Sequence, residues 1–364
     1  MKTWIKNPLA VWTGNELTAP NGLVIEDNQI KELVVGQPTC HDQVFDASGL
    51  VILPGLVNCH HHFYQTLTRA LPAAANLKLF PWLQSLYPIW ANLNHDSIKA
   101  SSELAIAELL LSGCTTVSDH HYVFSEALTD SIDIQIRAAE KLGIRAVLCR
   151  GSMSLGESTG GLPPDPIIQT EDQILLDSER LLTQYHDRSS QGAMIQIALA
   201  PCSPFSVTTS LMTDTAELAA KHNARLHPHL AETEDENQFC QDVFNLRPLD
   251  YLESTGWLHN NTWLAHGIHF NDQELYRLGQ AGTGICHCPT SNMILGSGTC
   301  RTLDIEAAGS PIGLGVDGSA SNDGSNLIQE ARQALLLARL SYGADRITVD
   351  HCLNWLCKGG ADLL

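Results

Sequence analysis

The chain has two textures. Over residues 1–50, short β-type runs such as Leu23-Val24-Ile25 and Glu32-Leu33-Val34-Val35 are separated by the turn pairs Asn21-Gly22 and Asp27-Asn28. Such runs between tight-turn residues predict a small antiparallel sheet. From Val51 onward, apolar runs at 51–57, 114–119, 144–149, 194–200, 224–230, 262–266, 283–287 and 311–316 are each followed by a longer helical stretch. Eight short runs, apolar enough to be buried on both faces and alternating with helices, predict an α/β chain built as a (β/α)8 TIM-like barrel over 51–364. No G-x-G-x-x-G opens a helix, which argues against an open dinucleotide-binding sheet. The Gly/Pro stretch 160–166 follows the third run, where a barrel carries a mobile loop.

Composition narrows the partners. Among 364 residues there are 21 Lys+Arg against 40 Asp+Glu, a net charge of −19. That charge repels a phosphate backbone, so no nucleic-acid polymer is expected as a partner. No window approaches the length of apolar sequence needed to cross a bilayer, and the first 30 residues lack a basic segment followed by an apolar core. No membrane association is expected. Eleven scattered cysteines in a chain large enough to bury its own core fit reduced thiols in a cytoplasm better than a disulfide framework.

The candidate chemistry lies at the strand ends. The first run closes in Pro54-Gly55-Leu56-Val57-Asn58-Cys59-His60-His61-His62. Side chains alternate along a strand, so His60 and His62 share one face and His61 points the other way. His229 closes the fifth run and is followed by Glu232; His266 closes the sixth and Asp317 the eighth. Three nitrogen ligands and a carboxylate, with a position left for water, match a catalytic divalent-metal centre; a structural site would be closed and thiolate-rich. His227 shares a face with His229 and is the rival ligand, His229 being preferred because Glu232 stands in the loop just beyond it. Gln65, Trp82, Tyr122 and Ser203 follow strands one, two and four and are candidates to read a planar heterocycle. One of His120 and His121 could enter the same pocket. Cys286-His287-Cys288 has no second cysteine pair nearby and reads as buried thiols. His41, His95, His186, His222, His259 and His351 fall in polar or helical stretches and are expected at the surface or in caps.

These residues carry a resemblance. The order H-x-H after strand one, H-x-x-E after strand five, His after strand six and Asp after strand eight, complete across 51–317, resembles the amidohydrolase superfamily in its deaminase and chlorohydrolase branch. The runs at 60–69, 114–122, 200–206, 229–233 and 315–323 are most similar to its deaminases of amino-substituted purines, with hydroxy-s-triazine aminohydrolases next. Asn58, where many members have Asp, and Pro228 depart from the pattern. The resemblance implies one divalent ion held by His60, His62, His229 and Asp317, zinc foremost, with iron and manganese as alternatives. It makes Glu232, His266 and Asp317 the catalytic groups: Glu232 moves a proton from water to the ring, Asp317 collects a second, and His266 orients the hydroxide. It implies a small heterocyclic substrate and a homo-oligomer. Residues 1–50 would be the N-terminal part of a small β-sandwich that members complete with strands after the barrel. Since the sequence stops inside an apparent helix at Leu364, the natural protein is expected to continue.

Overall fold

A computed structural model describes residues 1–14, 17–18, 21–126, 128–189 and 192–364. It divides into two compact units, Met1–Gly55 with Ser189–Ala193, and Leu56–Arg188 with Met194–Leu364.

In the first unit, Gln29–Leu33, Gly22–Glu26, Lys2–Lys6 and Gln43–Asp46 lie side by side in that order. The hairpin between Gly22–Glu26 and Gln29–Leu33 turns through Asp27 at φ 54°, a conformation that an Asp tolerates. Trp4, Val24 and Val34 pack as its core. A smaller sheet joins Leu17–Thr18, Ala10–Trp12 and Val51–Ile52. The sheets are mixed, not purely antiparallel as the sequence suggested. Gln43–Asp46 pairs parallel to Lys2–Lys6, and Val51–Ile52 pairs parallel to Ala10–Trp12.

The same pairing corrects the expected strand at 51–57. Pro54 and Gly55 interrupt it: its first two residues join the N-terminal unit, and only Leu56–Asn58 enters the second.

The second unit contains β1 (Leu56–Asn58), β2 (Cys114–His121), β3 (Arg145–Ser152), β4 (Ile195–Pro201), β5 (His229–Leu230), β6 (Trp263–His266), β7 (Gly284–His287) and β8 (Ile312–Leu314). Strands β1 to β4 form one parallel sheet and β5 to β8 another. Backbone bonds also join their edges. Leu226 bridges Leu199 on one side and Thr262 on the other, and His61 bridges Asp317; Cys59 N–H reaches Leu314 O at 2.9 Å. The run at 224–230 is shorter as a strand than its apolar pattern suggested, because Pro228 has no N–H to give to a ladder. Helices follow the strands with side-chain N-caps at Asn94, Thr170, Thr208, Thr233, Asn271 and Asn326, each satisfying donors that the first turn leaves open.

Two apolar clusters frame the strand ends. Val57, Cys59, Val147, Cys149, Ala198, Ala200, Trp263, Cys286 and Cys288 fill the space between strands. A second cluster includes Leu79, Trp82, Leu83, Leu86, Tyr87, Trp90, Phe205 and Leu295. The Gly/Pro stretch after β3 is pinned to the segment after β4, since Leu155 N–H bonds Ser206 O and Leu162 N–H bonds Phe205 O. Among the described residues no helix is long and apolar enough to cross a membrane.

Candidate metal centre

The C-terminal ends of β1, β5, β6 and β8 bring His60, His62, His229, His266, Glu232 and Asp317 into one buried nest. His60 Nε2 and His62 Nε2 lie 3.3 and 3.2 Å from Asp317 Oδ1, and His62 Nε2 is 3.2 Å from His229 Nε2. His266 Nε2 stands 3.5 Å from Glu232 Oε2 and 4.0 Å from Asp317 Oδ2. His61 turns away, as the alternation requires, and meets Ser325 Oγ at 3.0 Å.

Strand β8 can come this close to β1 because Gly315 lacks a side chain. A Cβ there would stand 2.6 Å from Cys286 Sγ and 2.9 Å from His60 Cβ. His266 and Asp317 adopt positive φ, 73° and 61°, a conformation that persists only where the surroundings hold it.

The other ring nitrogens decide the tautomers. His62 Nδ1 is 2.6 Å from His120 O and His229 Nδ1 is 2.7 Å from Cys202 O. A carbonyl only accepts, so each Nδ1 carries the hydrogen and each Nε2 keeps its lone pair for the nest. His60 reaches the same state through one more residue. His227 Nδ1 donates to Trp263 O at 2.8 Å, which leaves His227 Nε2 to accept from His60 Nδ1, also at 2.8 Å. The rival ligand of the sequence reading thus stands behind His60 and orients it. His266 Nδ1 faces Asn292 Oδ1 at 2.9 Å. Burial holds His60 and His229 well below the ordinary histidine range, so both are neutral.

The acids differ. Burial pushes Asp317 upward, but contact with His60 and His62 overrides it and holds the carboxyl well below its usual range; Ser291 Oγ and Gly318 N donate to it at 2.6 and 2.7 Å. Burial raises Glu232, and the Asp317 charge adds to the effect, which favours a carboxyl able to carry a proton. Ser297 Oγ donates to Glu232 Oε1 at 3.3 Å.

This donor set fits a divalent ion. His60 Nε2 is buried and has no hydrogen-bond partner, and ligand atoms of His60, His62 and Asp317, and of His60, His229 and His266, lie within 4.8 Å of one another. Imidazoles with committed Nδ1–H groups plus a carboxylate are the nitrogen and oxygen ligands of a catalytic zinc-type centre.

A cavity opens on the nest. All four residues chosen from sequence to read a heterocycle, Gln65, Trp82, Tyr122 and Ser203, line it, together with Leu79, Leu83, Phe205 and Leu295. Of the adjacent histidines after β2, His120 faces inward, its ring centroid 4.6 Å from that of His229, while His121 packs on Tyr64 and Phe124. His222, expected near the surface, is buried with Arg188 at 2.8 Å. Sequence reading missed Ser291, Asn292 and Ser297, which no local pattern marks, and Glu236, which the spacing Thr233-x-x-Glu236 flags as a capping-box position.

Residues 51–364 match the amidohydrolase family model. The chain belongs to the amidohydrolase family. An 8-oxoguanine deaminase from Pseudomonas aeruginosa is 60% identical to this amidohydrolase over 367 residues, covering 100% of the chain and 81% of the relative. A hydroxydechloroatrazine ethylaminohydrolase from Pseudomonas sp. strain ADP is 36% identical, covering 88% of the chain and 68% of its own length. The crystal structure of an atrazine chlorohydrolase from Arthrobacter aurescens TC1, complexed with zinc, superposes with a TM-score of 0.94 at 28% identity, covering 100% of the chain and 83% of its own. The amidohydrolase therefore has an α/β, TIM-barrel-like fold.

Proposed function

We propose that this amidohydrolase deaminates 8-oxoguanine to urate and ammonia, using a single divalent ion, zinc foremost. The observation that carries the substrate is the 60% identity to the Pseudomonas 8-oxoguanine deaminase along the whole chain. The runs around His62, Tyr122, Ser203 and Asp317 resemble those enzymes, and these residues line the cavity beside Glu232.

His60, His62 and His229 would hold the ion through Nε2, and Asp317 through its carboxylate. A divalent ion in such a site acidifies water, so that hydroxide is available near neutral pH. Glu232 takes the proton from the attacking water and delivers it to the ring nitrogen beside the amine-bearing carbon, which opens that carbon to attack. His266, with its Nδ1–H committed to Asn292, presents an acceptor at Nε2 and orients the nucleophile's remaining O–H. Asp317 accepts that second proton and passes it to the amine, which departs as ammonia. Leu79, Leu83, Phe205 and Leu295 give the cavity apolar walls for a flat ring, and Gln65, Trp82, Tyr122 and Ser203 offer polar groups to its edge. A site that satisfies the extra carbonyl and N–H of the oxidised base leaves those groups unpaired with guanine, a penalty that reaches ~10⁴–10⁵ in specificity in such sites.

In the same reading, β1 to β8 close as a (β/α)8 barrel and residues 1–50 supply part of a small β-sandwich. The chain works as a homo-oligomer in a cytoplasm, where its eleven cysteines remain reduced. The test is kcat/KM for 8-oxoguanine, guanine, isocytosine and an aminotriazine side by side, with elemental analysis of the same preparation. One stoichiometric metal and the highest value for 8-oxoguanine are expected. A tenfold preference for guanine or the triazine overturns the substrate, and full turnover without metal overturns the mechanism.

A further inference from the structure

Glu236 is fully buried, yet it does not line the cavity. Its two carboxylate oxygens accept two consecutive backbone N–H groups, Oε1 from Ala231 at 2.9 Å and Oε2 from Glu232 at 3.0 Å. It is the third residue of helix Glu234–Phe244, whose N-cap Thr233 accepts from Glu236 N at 3.4 Å. In an ordinary capping box the residue at this position reaches back to the N–H of the cap itself. That task needs no charge: in helix Glu171–Tyr185 the neutral Gln173 performs it for Thr170. Glu236 reaches past the cap, at the cost of burying a carboxylate, and burial pushes its carboxyl up to about 7 against the pull of the two N–H groups.

The segment it grips is strained. Ala231 has φ 54°, a left-handed conformation that disfavours a residue carrying Cβ. From the other side, Ala231 O accepts from Ile268 N and His269 N, both at 2.9 Å, just beyond His266. One peptide turn is therefore clamped between Glu236 and the segment after β6. The next side chain along the turn is Glu232, 3.5 Å from His266.

We propose that Glu236 is a positioning residue: it holds the left-handed turn at Ala231 and so aims the Glu232 carboxylate into the cavity beside His266. This rests on the reading in which Glu232 moves the proton. A carboxylate is required because it offers two acceptors to two donors, whereas an amide sets an NH2 against one of them.

The test is a double-mutant cycle on the metal-loaded enzyme with Glu232→Gln, Glu236→Gln and the pair, recording kcat, KM, metal content and melting temperature. Glu236→Gln alone is expected to lower kcat about 10–100-fold, the scale of a misplaced catalytic group, with KM and metal content held. In the Glu232→Gln background it should change kcat less than about threefold, because its effect passes through the missing carboxylate. An equal loss in both backgrounds, or no loss in the parent, overturns the proposal. A harmless Glu232→Gln overturns the underlying reading instead. Should Glu236→Gln fail to fold, Glu236→Asp, which keeps two acceptors on a stem one methylene shorter, replaces it under the same criteria.

Discussion

Removing the acceptor behind His60 should weaken metal binding beyond any cost to the metal-free fold. In His227→Phe the ring that stacks on Trp263, at 4.2 Å between centroids and 10° between planes, is kept in shape but loses both nitrogens. In the parent, the Nδ1–H of His60 is satisfied by His227, and Nε2 is free for an ion. Without an ion, the variant's His60 can move its hydrogen to Nε2, which faces the Asp317 carboxylate with Oδ1 3.3 Å away. Ion binding demands the hydrogen back on Nδ1, now buried with no acceptor. A buried unsatisfied donor costs ~1–3 kcal/mol, and at about 1.4 kcal/mol per tenfold this is a loss of roughly 5- to 150-fold in metal affinity. The orphaned Trp263 carbonyl is a penalty common to both states and cancels. Competition against a chelator of known affinity measures the dissociation constant, and a melting curve of the stripped protein measures the fold. Unchanged affinity, or a loss seen only as a lower melting temperature of the stripped protein, would refute the tautomer argument.

Three further outcomes follow from the same geometry. Glu232→Gln should keep metal and fold but lose ~10²–10⁴ in kcat, as a positioned acid–base group does; single-turnover ammonia release checks it. Gly318→Ala should disturb substrate binding more than folding, because its Cβ would overlap the Gln65 side-chain amide, a flexible group that lines the cavity; KM is expected to rise several-fold to about tenfold, the worth of one displaced hydrogen bond, with little change in melting temperature. Glu330 accepts from Thr290 N and Asn322 Nδ2, and burial pushes its carboxyl up from 4.5 to about 7. The folded state then binds the proton more tightly than the unfolded one, so this group's stabilisation is full below pH 4.5 and is lost as pH rises through 7, on the order of 3 kcal/mol in all. Denaturation of Glu330→Gln at pH 5 and 7 should show about 2 kcal/mol less loss than the parent, the share of that total falling between those two pH values, and parallel losses would contradict the burial argument.

Much of the site was legible because strand periodicity and strand ends are local signals. The two-residue spacing of His60 and His62 states that they share a face, and the apolar runs before His229, His266 and Asp317 state where their strands stop. What was not legible is long-range. Nothing near His227 reveals that its partner is Trp263 O, so periodicity alone left it a rival to His229. Ser291, Asn292 and Ser297 come from the segment after β7 and gain their roles only when it folds back over β5, β6 and β8. The split of 51–57 was signalled by Pro54 and Gly55, but an apolar run on both sides hid it. Leu226 and Pro228 show the converse: a run apolar enough for a full strand is reduced to a bridge and a two-residue strand where one residue lacks its N–H.

The hydrogen-bond partners of His62 and His229 have a consequence for how such a site changes over generations. Both imidazoles lean on main-chain oxygens, those of His120 and Cys202. Every residue type carries that atom, so no single replacement at position 120 or 202 can delete the acceptor, provided that the strand path is kept. Position 202, which lines the cavity, can therefore change its side chain without releasing the ligand it steadies. His60 depends instead on a side chain, and for that ring a one-codon change at position 227 is enough to remove the support.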